Sequence, residues 1–152
     1  MLMPDLTVLN PDTIPSVAID FMNHTHAEEV ALVRELGDLI ADYQGRTLRD
    51  VADAEKIRRK LSDWLAHTQA HFLAENELME EYAFPAYPIH AGEHAAALQK
   101  MTAVIEAWDK HQEIDLLADY VFILWPAWFN GHVTSMDMIT AKFAVMNGFT
   151  PE

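Results

Sequence analysis

A chain of 152 residues, 51% apolar and 22% charged, is long enough to bury a core in one domain and too apolar to stay disordered. Its formal net charge of −14 argues against nucleic acid or an anionic membrane as partner, and the absence of cysteine removes disulfides, thiolate metal sites and cysteine nucleophiles. No stretch approaches the roughly 18 uninterrupted apolar residues of a membrane span. The N-terminus lacks the basic start and apolar run of a secretory signal, so the expected location is cytoplasmic.

Residues 1–15 carry Pro4, Pro11 and Pro15, which donate no backbone hydrogen bond, and an extended N-terminal arm is expected there. Helix formers dominate residues 16–152, and strand signals are absent. The first helix is expected over residues 16–43, with a buried stripe of Met22, His26, Val30, Val33, Leu36 and Ile40. The second is expected over residues 48–83. Its stripe, Ile57, Leu61, Trp64, Thr68, His71, Glu75, Leu78 and Tyr82, alternates steps of four and three without a break, the period of helices packed side by side. "FPAYP" stops it, and a third helix opens near Pro88, a residue suited to a first helical position. The third stripe is His90, His94, Ala97, Met101, Val104 and Trp108. The fourth helix is expected over residues 114–146, capped by Asn147-Gly148 and kinked at Pro126, with His132, Met136, Ile139, Phe143 and Met146 on one stripe. Four long amphipathic helices with short connections predict an all-α, up-down antiparallel four-helix bundle over residues 16–152.

Imidazoles and carboxylates interrupt these stripes where apolar side chains belong. One unpaired buried polar group costs about 1–3 kcal/mol. Five imidazoles and two carboxylates buried together would exceed the whole stability of an ordinary domain, roughly 5–15 kcal/mol. Bound metal resolves the conflict by turning their lone pairs into ligands. His71 and Glu75 are one turn apart, as are His90 and His94, and His132 precedes Asp137 in "HVTSMD". In an antiparallel bundle these residues and His26 converge near one end. Seven side chains exceed the four of a tetrahedral zinc and suit two six-coordinate ions sharing carboxylate bridges. Nitrogen and oxygen donors without sulfur suit iron among redox metals. No histidine has a glutamate three residues before it, which disfavours the ferritin-like di-iron pattern, and there is no H-E-x-x-H of a zinc protease. His26 shares the apolar stripe, whereas His24 shares a face with Glu28, Ala31 and Glu35, so His26 is the expected ligand. His67 and His111 are expected at the surface.

The pieces "HFLAENELM", "YPIHAGEH" and "WFNGHVTSMD", in that order, resemble hemerythrin and above all the bacterial hemerythrin-like domains, over about residues 19–143. The resemblance implies two iron ions joined by an oxo or hydroxo bridge. His90, His94 and His132 would hold one, His26 and His71 the other, with Glu75 and Asp137 bridging. It also implies an O2 site on the second iron, walled by Trp128 and Phe129 first, then Phe72, Met22, and Leu78 or Met79. The implied function is reversible O2 binding for storage, delivery or scavenging, without enzymatic turnover. A di-iron enzyme or sensor handling nitric oxide or peroxide is the alternative, and no signalling or membrane segment is visible to favour a receptor over a diffusible carrier.

Overall fold

The computed structural model describes residues 14–150, and over them the chain is all-helical, with four helices packed as a bundle. α1 is Asp20–Gly45, α2 is Val51–Glu81 and α3 is Tyr87–His111. The fourth, α4, occupies residues 114–146 and is composite. It is α-helical over Ile114–Asp119, Trp125–His132 and Met138–Met146, and π-helical over Tyr120–Leu124 and Val133–Asp137. Among the described residues no helix is long and apolar enough to cross a membrane. The expected arm, residues 1–15, lies outside the described residues except for Ile14 and Pro15, neither of which is helical.

Two helices start later than their periodicity predicts, for local reasons. α1 begins at Asp20 instead of residue 16 because the Asn23 side chain accepts from the Val17 N–H at 2.8 Å and donates to the Val17 carbonyl at 2.9 Å, fixing that stretch outside the helix. α2 begins at Val51 instead of residue 48 because Asp50 caps it. Asp50 accepts from the Asp53 N–H at 3.0 Å, and Asp53 accepts from the Asp50 N–H at 3.2 Å. α4 closes as expected: Gly148 takes a φ of +104°, which glycine adopts without strain, and the Phe149 N–H reaches the Ala144 carbonyl at 2.9 Å.

The α1 stripe is wholly buried, and so is the α2 stripe except for half-buried Tyr82; on α3, Ala97 and Val104 are half-buried. The α4 stripe departs from expectation. After His132 the buried face carries Asp137, Thr140, Ala141 and Ala144, whereas Met136 and Phe143 are half-buried, Ile139 is 56% exposed and Met146 84%. A turn closed i→i+5 takes one more residue than an α turn, which rotates everything after it by about 100°. The stretch Val133–Asp137 is such a turn. Pro126 likewise does not end the helix. The irregularity falls one turn earlier, at Tyr120–Leu124, where the Trp125 N–H reaches the Tyr120 carbonyl and the wider turn makes room for the proline ring.

Polar pairs tie neighbouring helices: Lys60 to Glu35 at 2.6 Å between α2 and α1, Arg58 to Asp109 at 2.7 Å between α2 and α3, and Gln44 to Asp115 at 3.2 Å between α1 and α4. Ile40, Ile57, Leu61, Met101, Ile105, Trp108 and Leu117 belong to the apolar core. Trp64, edge-on to Trp125 at 5.3 Å, marks the level beyond which the buried residues turn polar.

Candidate metal centre

All four helices send polar side chains into that second half of the bundle. α1 supplies His26; α2 supplies His71 and Glu75; α3 supplies His90 and His94; α4 supplies His132 and Asp137. All seven are buried, none more than 5% exposed. On α2 and α3 a four-residue step puts both members of a pair on one face. On α4 the π turn does this for a five-residue step.

The donor atoms fall into two groups, each within 4.8 Å of one another: Glu75, His90, His94, His132 and Asp137 in one, His26, His71, Glu75 and Asp137 in the other. The two carboxylates are common to both, and each turns one oxygen to either side. Glu75 Oε2 lies 2.7 Å from His71 Nε2, and Asp137 Oδ2 lies 2.9 Å from His26 Nε2. Glu75 Oε1 lies 3.1 Å from His94 Nε2, while Asp137 Oδ1 lies 3.0 Å from His90 Nε2 and 3.1 Å from His132 Nε2. Each carboxylate thus presents one oxygen to either donor group.

The residues fit metal ions better than they fit each other. Both ring nitrogens of His26, Glu75 Oε1, His94 Nε2 and both Asp137 oxygens are buried without a hydrogen-bond partner, although several have a neighbour near 3 Å. They are close but not aimed at one another. His90 Nε2 and His132 Nε2 also face each other at 3.1 Å. Orphaned buried lone pairs cost stability, and a cation among them removes that cost.

Four imidazoles are fixed from behind through Nδ1. His71 donates to Glu29 at 3.3 Å, His94 to Asn76 at 2.8 Å and His132 to Glu93 at 2.9 Å. His90 contacts the Thr140 hydroxyl at 2.8 Å, and that hydroxyl lies 3.9 Å from Met79 Sδ. With Nδ1 donating, each Nε2 faces the cluster, where it becomes a ligand on losing any proton it carries. These four partners escape the stripe analysis. Glu29, Glu93 and Thr140 each follow a cluster residue by three positions, a spacing that puts them on its face; nothing in the sequence singles out Asn76.

Glu29 is the centre of its own network. It is 1% exposed and accepts from the Trp64 indole at 2.5 Å, the Thr68 hydroxyl at 2.7 Å, and His67 Nδ1 at 2.8 Å. His67, expected at the surface, is thus the outer member of a chain through Glu29 to His71. Burial pushes the Glu29 carboxyl up, but the bonds from His67 and His71 prevail and hold it at about 2. Burial pulls the His71 imidazolium down, but the Glu75 charge and the Glu29 bond hold it at about 10. His90 is held at about 9 against its burial by Asp137 and Glu75. His94 is pulled below its ordinary value, burial outweighing Glu75. Against burial, the histidines hold Glu75 and Asp137 well below the carboxylate range.

Aromatic rings line the cluster. Phe129 is edge-on to His26 at 5.6 Å and stacks on Trp125 at 4.7 Å. Phe72 stacks on His94 at 4.0 Å and tilts over His71 at 5.2 Å. Trp128, half-buried, stacks on His132 at 4.6 Å and so flanks the five-donor group. Met22, Leu78 and Met79 are buried. His24 is 82% exposed and stands outside the cluster.

The chain is 27% identical to bacteriohemerythrin from Aquifex aeolicus (strain VF5) over 135 residues, which cover 89% of this chain and 96% of that protein. No family model matches the chain, and no solved structure matches it.

Proposed function

The chain is hemerythrin-like, and from that premise we propose that it binds O2 reversibly at two iron ions joined by an oxo or hydroxo bridge. The observation that carries the reading is the pair of donor groups of unequal size that share Glu75 and Asp137, each carboxylate giving one oxygen to either group. His90, His94 and His132 would hold one iron and His26 and His71 the other. The second set has one histidine fewer, which would leave its ion a position for O2. Donors of nitrogen and oxygen without sulfur support iron among redox metals. When bound, the irons supply the electrons that O2 takes up and returns.

The protein's own part is to hold the ligands and keep water out. His26 and Asp137 are 0% exposed, and Phe129 backed by Trp125 covers the His26 edge. Excluding water protects bound O2 from protons that would let it leave reduced. The up-down order of residues 16–152 belongs to the same reading; it is supported by the pairs that join Lys60 to Glu35, Arg58 to Asp109 and Gln44 to Asp115.

The test is an optical spectrum of iron-loaded protein, reduced without air, exposed to O2, then purged. Charge-transfer bands that appear with O2 and vanish on purging are expected. Direct, irreversible passage to the oxidised spectrum would overturn the carrier reading and favour an enzyme or sensor acting on peroxide or nitric oxide.

A further inference from the structure

The two donor groups share Glu75 and Asp137, so what distinguishes them is their histidines. The larger group has three, each held through Nδ1: His90 by Thr140, His94 by Asn76 and His132 by Glu93. Two of those rings are also clamped flat, His94 against Phe72 with 6° between planes and His132 against Trp128 with 17°. The smaller group has two. His71 is held by Glu29 at 3.3 Å. His26 is fully buried, yet among the described residues its Nδ1 has no hydrogen-bond partner, and the rings beside it are the Phe129 and His71 rings, both edge-on. An imidazole unheld at its outer nitrogen is a weaker base and freer to turn out of line. Losing such an outer partner typically costs about 10–100-fold in metal affinity.

We infer that the two metal positions are held unequally. The His90–His94–His132 position fills first and keeps its ion. The His26–His71 position takes up and gives up a divalent metal independently, so a one-metal form of the chain is a populated species. This rests on the two-metal reading of the cluster and not on O2 as its ligand.

The experiment is an anaerobic titration of the metal-free 152-residue chain with cobalt(II), followed by visible absorption and by equilibrium dialysis. Two one-equivalent steps are expected, separated by at least about tenfold in affinity. His26→Ala should remove the weaker step and leave the tighter one, whereas His94→Ala should weaken the tighter one. Should His26→Ala lose its helical circular dichroism, His26→Gln takes its place, and the native titration decides by itself. Uptake of two equivalents in a single step, or loss of the tighter step in the His26 variant, would overturn the inference. Two unequal steps in a chain whose iron form ignores O2 would overturn the O2 reading alone. A single step in a chain that binds O2 would overturn this inference alone.

Discussion

His132 and Asp137 meet at 3.1 Å, Nε2 to Oδ1, although five residues separate them along α4. Five residues of α-helix turn through about 500° and would leave the two side chains about 140° apart. The π turn Val133–Asp137 closes that angle. A wide turn of this kind is costly and rare, and it commonly sits where function needs a side chain re-aimed.

Moving the carboxylate one residue earlier should therefore damage the site. Met136→Asp combined with Asp137→Ala gives the four-residue spacing an α-helix favours, but on this π turn position 136 is only half-buried. Iron bound per chain, measured by elemental analysis after loading, should drop from two to one or none while helical circular dichroism persists. Full loading of the swapped chain would mean that the turn does not aim Asp137.

Glu75 and Phe129 should separate holding the metal from protecting it. Glu75→Ala removes an oxygen from each donor group, and most of the metal should be lost. Phe129→Ala should cost about 3–5 kcal/mol of stability as a buried aromatic truncation, keep both irons, and oxidise irreversibly in air several-fold faster. Full iron content in the Glu75 variant would contradict its role as a shared ligand.

Glu29 should matter to the metal-free chain as well as to the loaded one. Its carboxyl is held at about 2, below the ordinary value of about 4.5. The stability it contributes is therefore fully present above about pH 4.5 and is lost as pH falls toward 2. Glu29→Gln keeps the shape but removes the charge and turns one carboxylate oxygen into an NH2 group, so two of the four donors lose their acceptor. Thermal melts should show a loss of about 1–3 kcal/mol at pH 7 that shrinks in acid. A constant loss across that range would assign the effect to packing.

Metal uptake should release protons. His71 at about 10 and His90 at about 9 are both protonated in the metal-free chain at neutral pH, and each must lose its proton to become a ligand. Calorimetric titration in buffers of different ionisation enthalpy should report at least about two protons expelled per fully loaded chain, His26 also being raised by Asp137 and Glu75 against its burial, with affinity falling in acid. Their folded-state pKa values are raised, so the stability these imidazolium pairs give the metal-free chain is present below pH 6.5. It disappears as pH rises through 9 to 10. Proton-neutral binding at pH 7 would mean that the rings are already neutral before metal arrives.

Much of this was legible because α2 and α3 keep an unbroken alternation of four and three, and α1 keeps to steps of four and three, so a histidine or glutamate on the stripe is buried by arithmetic. The same logic separates His26, fully buried, from His24, two residues away and largely in solvent. α4 resisted it because a stripe drawn at α spacing carries Ile139 and Met146 inward, and they are exposed. The clue was present in the five-residue gap from His132 to Asp137, which no α-helical stripe can accommodate. His67 resisted for a different reason. Its partner Glu29 is a carboxylate that looks solvent-bound until the neighbouring helix brings Trp64 and Thr68 to it.

The division of the bundle at the level of Trp64 has a consequence for how the chain breathes. On one side, Ile40, Ile57, Leu61, Met101 and Trp108 form a permanent oily core. On the other, buried imidazoles and carboxylates interrupt the apolar interior, and six of their donor and acceptor atoms are without hydrogen-bond partners among the described residues. Without metal, amide exchange should run slow near Trp108 and fast around His90 and Asp137. With metal, that difference should vanish, as though the ions were a second core installed after folding.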